Sequence, residues 1–275
     1  MTNIAILMTC FNRKDKTLAC LNSLYTNKIS KEISIKVYLV DDGSIDGTTE
    51  AVTNHFPEVK IIQGNGNLYW AGGTRLAWSN ASNGNYDYYV WLNNDVILLE
   101  NALQILINSS KSCTNRSVIC ASMKSEYDDN ITYGGRKLNA NKCMIPNGKL
   151  QECDIINGNL VLIPKAIFET IGNMDQKFHH AIGDHDYGLR AIKAGYKCHV
   201  APEILGICNF NPLPPKWCLK EIPLRERVKN LYSPLGYADP LVYFYYINKH
   251  FGLYQAVKQY ISTHIRVIFP QLWRV

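Results

Sequence analysis

Two amides and a carboxylate, Asn93, Asn94 and Asp95, follow directly after the hydrophobic residues 86–92. If those hydrophobic residues form a buried strand of an α/β sheet, the three polar groups lie at its carboxyl end, where such sheets bind ligands. A carboxylate there suits a hard divalent cation, which commonly bridges phosphate groups. The alternative is a polar turn in which Asp95 caps the next helix.

A second acidic pair, Asp41 and Asp42, ends the second predicted strand. Adjacent carboxylates at a strand end can accept hydrogen bonds from a base N–H and from ribose hydroxyls, although a helix-capping turn is the alternative. Arg75 follows two glycines on the first turn of a predicted helix, where its guanidinium could clamp a diphosphate or simply lie on the surface. The turn 64–67 lacks the third glycine of the dinucleotide fingerprint, since Tyr69 stands there, which argues against an NAD-type site.

A third acidic group, Asp184 and Asp186 with His185 between them, lies near the start of a predicted helix. A helix N-terminus stabilises negative charge, and an N-cap role would account for one of the two carboxylates. That role does not account for both of them together with the neighbouring histidines. A carboxylate held in position can remove the proton of an alcohol, so this group is a candidate general base.

Alternating strands and helices must position these groups. Apolar and β-branched runs predict strands at residues 3–9, 33–40, 59–63, 86–92, 117–122, 155–163 and 196–201, with helices between most of them. This alternation predicts an α/β fold with a mainly parallel, Rossmann-like sheet and helices on both faces. Residues 123–154 break the pattern and predict a long loop or small hairpin, a kind of segment that is often functional.

The composition is that of a folded protein, with 47% hydrophobic and 19% charged residues in a chain of 275. There is no signal-peptide pattern and no run of 18 or more apolar residues, so we predict a cytoplasmic protein. We expect a catalytic domain at residues 1–211, made of two halves at about 1–100 and about 101–211. A helical C-terminal extension is expected at residues 212–275.

The C-terminal extension carries the whole charge excess of the chain. Residues 1–211 contain 20 basic and 20 acidic side chains, whereas residues 212–275 contain nine basic and three acidic ones. Residues 253–268 also have a helical period with one apolar face. This helix could pack on the catalytic domain or form a homodimer, or it could attach the protein peripherally to the anionic inner face of the cell membrane. We predict no nucleic-acid partner.

Five segments, in this order along the chain, resemble the family 2 glycosyltransferases. Three match the donor half of that family: residues 3–12 (NIAILMTCFN), 40–48 (VDDGSIDGT) and 92–95 (LNND). Two match its acceptor half: residues 157–164 (NGNLVLIP) and 183–190 (GDHDYGLR). Five ordered motifs are far more specific than any one of them. The resemblance implies the GT-A fold and transfer of a sugar from a nucleotide-diphospho-sugar with inversion at the anomeric carbon.

By position, the resemblance also implies roles for individual residues. Asp184 matches the catalytic base, although Gly183 stands where many members have a glutamate. Asp95 matches the carboxylate that binds a divalent Mn or Mg ion, and Asn93 is a weaker ligand because it replaces the first metal-site aspartate. The residues expected to bind the donor nucleotide are Thr9, Phe11, Asp41, Asp42, Arg75 and Asn94. Those expected to contact or support the acceptor are Trp70, Asn157, His185 and Asp186.

These features predict an inverting, metal-dependent glycosyltransferase of bacterial surface-glycan synthesis, such as O-antigen or capsule assembly. The expected donor is a UDP-hexose, with dTDP-rhamnose as the alternative, and the expected acceptor is a hydroxyl of a glycan or polyprenyl-linked glycan. The Gln-x-x-Arg-Trp motif of processive synthases is absent from the sequence, which predicts transfer of one sugar. Two rival functions are a nucleotidyltransferase, which would lack an acceptor base at Asp184 and release pyrophosphate, and an inactive module that binds sugar nucleotides or glycans.

Overall fold

A computed structural model describes residues 1–210, 214–235 and 239–273. Within these ranges the chain forms ten strands, all in one sheet, and nine α-helices. The strands are β1 Thr2–Cys10, β2 Ile33–Asp41, β3 Lys60–Gln63, β4 Tyr88–Leu92, β5 Ile97–Leu98, β6 Ser117–Lys124, β7 Ile131–Tyr133, β8 Gln151–Cys153, β9 Leu160–Pro164 and β10 Lys197–Ile207. The helices are α1 Lys14–Tyr25, α2 Thr48–His55, α3 Tyr69–Ala81, α4 Ala102–Ser112, α5 Lys165–Ile171, α6 Gly183–Lys193, α7 Leu224–Leu231, α8 Pro240–Phe251 and α9 Leu253–Ile268.

The sheet joins two groups of parallel strands through one antiparallel strand. Its order is β3-β2-β1-β4-β9-β6-β10-β5, with β7 beside β6 and β8 beside β10. Strands β3, β2, β1 and β4 run parallel, as do β6 and β10, whereas β9 runs antiparallel to both β4 and β6. The predicted α/β fold class is confirmed: β1, β2, β3, β4, β6 and β10 share one direction, and β5, β7, β8 and β9 run against it. Parallel neighbours need a crossover connection, and β9 is instead entered from an irregular segment, which leaves it free to reverse.

The segment predicted as a loop or small hairpin contains two short strands. Strand β7 pairs antiparallel with the end of β6, and β8 pairs antiparallel with β10. The strand expected at residues 155–163 therefore begins later, at Leu160. The helix expected from Gly73 begins earlier, at Tyr69, where the Asp42 carboxylate accepts hydrogen bonds from two consecutive backbone amides.

Alternating side chains of β1 enter two hydrophobic layers on opposite faces of the sheet. Leu7 belongs to a layer formed with α3, α5 and α6, whereas Ile6 and Met8 belong to a layer formed with α1, α2 and α4. Strands buried on both faces consist of nearly continuous hydrophobic runs, which is why β1 and β4 could be recognised in the sequence. The polar turns that follow these strands are therefore anchored to a rigid platform.

The C-terminal extension packs on the same layer as α3 and α6. Tyr246 and Ile247 of α8 and Ala256 of α9 are buried in that layer. The Asp239 side chain accepts amide hydrogen bonds from the first turn of α8, and Pro240 fits that turn because its missing N–H would have no partner there. This packing agrees with the interpretation that the tail helices lie on the catalytic domain.

The outward face of α9 is apolar and exposed. Its aliphatic side chains range from 42% exposure for Val257 to 62% for Leu253. Two basic residues, Lys258 and Arg266, are exposed on the same helix. Among the helices described over residues 1–210, 214–235 and 239–273, none combines the length and apolar character needed to cross a bilayer. The exposed aliphatic residues are Leu253, Val257, Ile261, Ile265 and Ile268.

Candidate active site

A cavity of about 2250 Å³ opens at the carboxyl ends of β1, β2 and β4. These strands are parallel neighbours, so their ends meet at one edge of the sheet, where α/β folds bind ligands. Three of the thirteen residues predicted for the site, Asp41, Arg75 and Asp186, do not line this cavity. The other ten line it: Thr9, Phe11, Asp42, Trp70, Asn93, Asn94, Asp95, Asn157, Asp184 and His185.

Asp184 is held in one orientation by two backbone amides. It is the second residue of α6, and its Oδ2 accepts a hydrogen bond from the Gly158 N–H at 2.8 Å. Its Oδ1 accepts from the N–H of His185 at 2.9 Å. Each carboxylate oxygen has a further lone pair, so the carboxylate can still accept the proton of a hydroxyl in the cavity. Burial lowers the pKa of the neighbouring His185, which keeps that imidazole neutral at neutral pH.

A short segment before β9 connects Asp184 to the polar turn after β4. The carbonyl of Asn159 accepts a hydrogen bond from the Asn93 N–H at 2.9 Å, and the Asn93 side-chain oxygen accepts from the Trp70 indole at 2.6 Å. Gly158 lies between these partners, and a Cβ there would come within 2.3 Å of the Trp70 ring. The base candidate and the turn at residues 93–95 are therefore positioned by one continuous set of hydrogen bonds.

Asp95 forms an ion pair with a residue that the sequence analysis did not select. The Arg13 guanidinium donates to Asp95 Oδ2 at 2.7 Å, and both residues line the cavity. The other oxygen, Oδ1, is 3.8 Å from the Cys208 thiol, whose pKa is raised to about 12 by burial and by Asp95. Asp95 thus has one oxygen engaged by a cation and one with only a weak thiol neighbour.

Asp95 could hold a divalent cation only if other ligands completed the coordination shell of that ion. Over the described parts of the chain, no group of three or more His, Cys, Asp or Glu side chains could hold a metal ion. Mg²⁺-type sites commonly use one or two carboxylates and complete the shell with substrate phosphates and water. Asp95 Oδ1 suits that arrangement, whereas the Asn93 side-chain oxygen is already engaged by Trp70. The donor set fits an ion that is bound together with a diphosphate.

Asp42 and Asp41 have different surroundings although they are adjacent. Asp42 lines the cavity, and its carboxylate accepts backbone hydrogen bonds from Gly66 at 2.9 Å, Leu68 at 2.8 Å and Tyr69 at 3.0 Å. Asp41 is buried, and it accepts hydrogen bonds from the amide of Ser44 and the hydroxyl of Thr49. Asp42 therefore shapes the turn at the cavity edge. Asp41 lies behind that edge, so the expectation that it contacts base or ribose does not agree with its position.

Arg75 also points away from the expected diphosphate site. Its guanidinium donates to the backbone carbonyls of Asp175 at 3.3 Å and Phe178 at 3.1 Å, and burial lowers its pKa. The prediction of a diphosphate clamp is therefore wrong for this geometry. Because α3 carries its side chain toward the segment before α6, Arg75 instead fixes the approach to Asp184.

Asp186 is fully buried on the side of α6 away from the cavity. Its carboxylate contacts Arg190 Nε at 2.9 Å, Lys249 Nζ at 2.7 Å and His250 Nε2 at 2.8 Å. Burial alone would raise its pKa, but the bonds from His250 and Lys249 outweigh that effect and lower it. Since Lys249 and His250 belong to α8, Asp186 attaches the extension to α6.

Two of the predicted residues on the cavity wall, Asn94 and Thr9, are held by neighbouring helices, and a third, Phe11, is exposed. The Asn94 amide donates to the Thr17 hydroxyl of α1 at 2.9 Å. Helix α3 approaches Thr9 so closely that a Cβ at Gly73 would lie 2.2 Å from the Thr9 hydroxyl. Phe11 differs from both, because 52% of it is exposed. Asn94 and Thr9 are thus rigid parts of the wall, and Phe11 offers an open aromatic face.

The structure adds cavity residues that sequence reasoning missed. Arg13 could have been suspected, because it follows the end of β1 as Asp95 follows the end of β4. Arg136 comes from the segment predicted to be functional. Tyr243 and Tyr246 come from the extension, and no local pattern in its sequence indicates that these residues reach the cavity.

Two solved structures share this fold. TarS 1–349 from S. aureus, in complex with UDP-GlcNAc, has a TM-score of 0.58 and 13% identity over 97% of this chain and 83% of that one. The mannosyltransferase PcManGT from Pyrobaculum calidifontis, in complex with GDP-Man and Mn²⁺, has a TM-score of 0.58 and 12% identity over 98% of this chain and 87% of that one. These similarities show the GT-A fold.

The sequence itself identifies the family. A search among curated proteins finds no match. The model of the family described as glycosyl transferase family 2 matches residues 5–172, which is more than half of the chain and includes the turns after β1, β2 and β4. With the fold and the cavity in agreement, this chain belongs to glycosyl transferase family 2.

Proposed function

We propose that this glycosyltransferase moves one sugar from a nucleotide-diphospho-sugar to a hydroxyl of a glycan or polyprenyl-linked glycan, with inversion at the anomeric carbon. One observation carries the proposal: Asp184, oriented by two amides, lines the same cavity as Asp95 and the turn held by Asp42. Displacement at a sugar–phosphate bond requires that the base and the phosphate-binding groups face the same bound donor and acceptor.

The proposed reaction is a single displacement with Asp184 as the general base. The acceptor oxygen attacks the anomeric carbon while its proton passes to a carboxylate oxygen of Asp184. The bond between the anomeric carbon and the diphosphate oxygen breaks, and the nucleoside diphosphate leaves with the electron pair. Arg13 and Lys16 line the cavity and would supply positive charge to the departing phosphates.

A Mn or Mg ion would be held by Asp95 together with the donor diphosphate, with Asn93 as a minor contributor. When bound, such an ion neutralises charge that develops on the leaving group. The weakly contacted Oδ1 of Asp95 supports this assignment. The adjacent Arg13 keeps Oδ2 neutralised and limits the carboxylate to one free oxygen.

A UDP-hexose is the expected donor, with dTDP-rhamnose as the alternative. Phe11 would cover the nucleobase, because it is an exposed aromatic residue on the cavity wall next to the turn held by Asp42. The complexes of TarS with UDP-GlcNAc and of PcManGT with GDP-Man support a nucleotide-sugar donor for this fold.

The lipid-linked acceptor would be met at the inner face of the cell membrane, with the enzyme in the cytoplasm. The exposed aliphatic face of α9 supports an apolar contact, and the surplus of nine basic over three acidic residues in the extension supports an anionic surface. We commit to the membrane as the occupant of this face. A second copy of the chain is the alternative. It would cover the aliphatic residues but would leave the basic residues of the extension without an anionic partner surface.

A screen of nucleotide-sugars for slow hydrolysis tests the proposal directly. UDP-hexoses, GDP-mannose and dTDP-rhamnose would be incubated with Mn²⁺ or Mg²⁺, and release of nucleoside diphosphate would be measured for the wild type and for Asp184→Asn. We expect one donor to be hydrolysed by the wild type. In a parallel assay with nucleoside triphosphates and sugar 1-phosphates, release of pyrophosphate would instead indicate a nucleotidyltransferase. Tight binding of a nucleotide-sugar without hydrolysis or transfer would indicate an inactive binding module.

A further inference from the structure

The C-terminal extension supplies aromatic side chains to the cavity. They lie beyond residue 172, where the family match ends, and beyond residues 183–190, the last segment that resembles the family. The cavity of about 2250 Å³ is larger than the roughly 300–1,000 Å³ of typical ligand pockets. Space for a second molecule therefore lies beside a nucleotide-sugar. The aromatic residues of the extension that line the cavity are Trp217, Tyr243, Tyr246, Phe251, Tyr260 and Trp273.

Two of these aromatics lie next to the base candidate. The Tyr246 ring centroid is 6.4 Å from that of His185, the residue that follows Asp184. Tyr243 lies one helical turn earlier, with its ring 6.1 Å from Tyr246 and tilted by 34°. A hydroxyl-bearing molecule that contacts this pair is thus brought to the side of the cavity where Asp184 lies.

The position of this pair is fixed by buried charges. Lys249 and His250, on the same helix as the two tyrosines, bond to the buried Asp186 of the base helix. Lys249 also bonds to Asp175 at 2.7 Å, and Tyr245 bonds to the same carboxylate at 2.8 Å. Helix α8 therefore cannot move relative to α6 without breaking several charged hydrogen bonds. The tyrosine pair is preorganised with respect to Asp184.

The wall next to these aromatics is rich in neutral hydrogen-bonding groups. Gln255, Gln259 and Thr263 of α9 line it, and Asn139 and Asn141 line it from the segment between β7 and β8. Aromatic faces contact the C–H surface of a sugar ring, while amides and hydroxyls bond its hydroxyl groups. An apolar peptide or an acyl chain would leave these polar groups without partners.

The paired tryptophans continue the same surface. The rings of Trp217 and Trp273 are 5.0 Å apart at 65°, and both line the cavity. Trp217 is 93% buried, at 7% exposure, and its indole N–H finds no hydrogen-bond partner among the residues that the structure describes. The surface that these two tryptophans offer to a ligand is therefore their rings rather than the shielded indole N–H groups.

We propose that the extension forms the acceptor site, in which Tyr243 and Tyr246 bind the acceptor sugar beside Asp184, and Trp217 and Trp273 bind the next residues of the glycan. This inference rests on the proposed function, since it assigns the acceptor of that reaction. It gives the extension a part in substrate recognition in addition to any surface role. It also predicts that acceptor choice depends on residues outside the family motifs.

The test compares variants that remove an aromatic face but keep an apolar side chain. Tyr243→Leu and Tyr246→Leu are the test variants, and Tyr254→Leu is the matched control, because Tyr254 is 76% exposed and does not line the cavity. Binding of methyl glycosides of glucose, galactose, N-acetylglucosamine and rhamnose is read by saturation-transfer NMR. Binding of UDP, GDP and dTDP is read by calorimetry on the same samples, and melting curves report folding.

We expect at least one methyl glycoside to bind the wild type, and to bind Tyr243→Leu and Tyr246→Leu about tenfold more weakly, because an aromatic contact of this kind is lost. Nucleotide affinity should stay within about twofold in all variants, and Tyr246→Phe should retain glycoside binding because it keeps the ring. The inference would be overturned if no methyl glycoside bound the wild type. It would also be overturned if both leucine variants, correctly folded, bound the glycoside as tightly as the wild type does. Failure of the proposed function is distinguished by a different result, namely that no nucleoside diphosphate binds the wild type.

Discussion

The end of β2 and the start of α6 each carry two carboxylates, and both regions divide them in the same way. Asp42 and Asp184 line the cavity, whereas Asp41 and Asp186 are buried in hydrogen-bond networks away from it. Adjacent residues at a strand end point to opposite sides, and residues two apart on a helix lie about 200° apart around its axis. Carboxylates that are close in sequence are therefore separated in space by the periodicity of the backbone.

The two buried partners differ in what surrounds them. Asp41 accepts hydrogen bonds from an amide and a hydroxyl, which are neutral. Asp186 accepts them from Arg190, Lys249 and His250, of which two carry a positive charge. Removal of the Asp186 charge would leave Arg190 without its carboxylate partner and Lys249 with Asp175 alone. Removal of the Asp41 charge would leave only neutral donors. A buried carboxylate such as Asp186 can thus hold two helices in place without contacting a substrate.

The largest effect is expected for the base. Asp184→Asn should lower transfer and donor hydrolysis by about 10²–10⁴-fold, because a general base is worth that much, while nucleoside diphosphate affinity stays nearly unchanged. Steady-state rates and calorimetry on the folded variant measure the two quantities. A variant that keeps more than about a tenth of the wild-type rate would show that Asp184 is not the base.

The metal-site candidate should come next. Asp95→Ala should reduce turnover on the order of 10²-fold and abolish the dependence of donor affinity on Mn²⁺ or Mg²⁺, because charge on the leaving group is no longer neutralised. Asp129→Ala is a matched control, since Asp129 is an exposed carboxylate that is also paired with a basic residue. Full wild-type activity in EDTA would show that no cation is needed, and the role of stabilising the leaving group would then be assigned to Arg13 and Lys16.

Substitution of Asp186 should lower the free energy of unfolding more than it lowers the rate of sugar transfer. Asp186→Asn should lower the free energy of unfolding by about 3 kcal/mol, because breaking a buried ion pair leaves uncompensated charge. Asp41→Asn should cost only about 1.5 kcal/mol, the lower end for hydrogen bonds to a charged group, because its donors are neutral. Urea denaturation of both variants measures the difference, and equal losses would contradict the distinction between the two networks.

The same network predicts how stability changes with pH. Burial raises the pKa of Asp175, but bonds from the Lys177 amide, Lys249 and Tyr245 outweigh it and hold the pKa at about 2, below the ordinary 3.8. A depressed pKa stabilises the fold above 3.8 and loses that contribution as pH falls toward 2, and Asp186 acts in the same direction. The wild-type melting temperature should therefore fall between pH 4 and pH 2.5, and it should fall less in Asp186→Asn. Parallel curves for the two proteins would contradict this reading.

Asp42, the residue of the Asp41–Asp42 pair that lines the cavity, should affect nucleotide binding. Asp42→Ala should weaken binding of UDP or dTDP by about tenfold, because the turn at residues 64–69 loses its three amide bonds to the carboxylate. Asp184→Asn is the control, since its carboxylate lies away from that turn. Calorimetry decides the matter, and unchanged affinity in Asp42→Ala would move the nucleotide site elsewhere in the cavity.

The smallest effect concerns the extension, whose outer face is exposed whereas its inner face lines the cavity. The intact protein should sediment with anionic liposomes at low salt and be released as salt screens the charges, and neutral liposomes should bind less. Ile261→Ser with Ile265→Ser should reduce binding, and the melting curve shows whether the fold is kept. If the wild type ignores anionic liposomes and runs as a dimer that these changes dissociate, a second copy covers the face.

Much of the fold and the site could be predicted because the signals are local. The run of β1, the polar turns after β2 and β4 and the helix start at Asp184 each occupy a few consecutive residues. Arg75 could not be predicted in this way, because its carbonyl partners at Asp175 and Phe178 are supplied by a distant segment. The direction of β9 likewise depends on how the irregular segment before it crosses the sheet.

The sequence by itself determined the alternation of the main strands and helices and the family, and it selected Asp184 as the candidate base. Backbone periodicity and turn chemistry act over a few residues, so a linear reading captures them. Only the tertiary structure decided which carboxylate of each pair lines the cavity, that Arg13 pairs with Asp95, and that Tyr243 and Tyr246 return to the base helix. Those outcomes depend on packing between elements far apart in the chain, where buried area and charge compensation, rather than local preference, determine which groups meet.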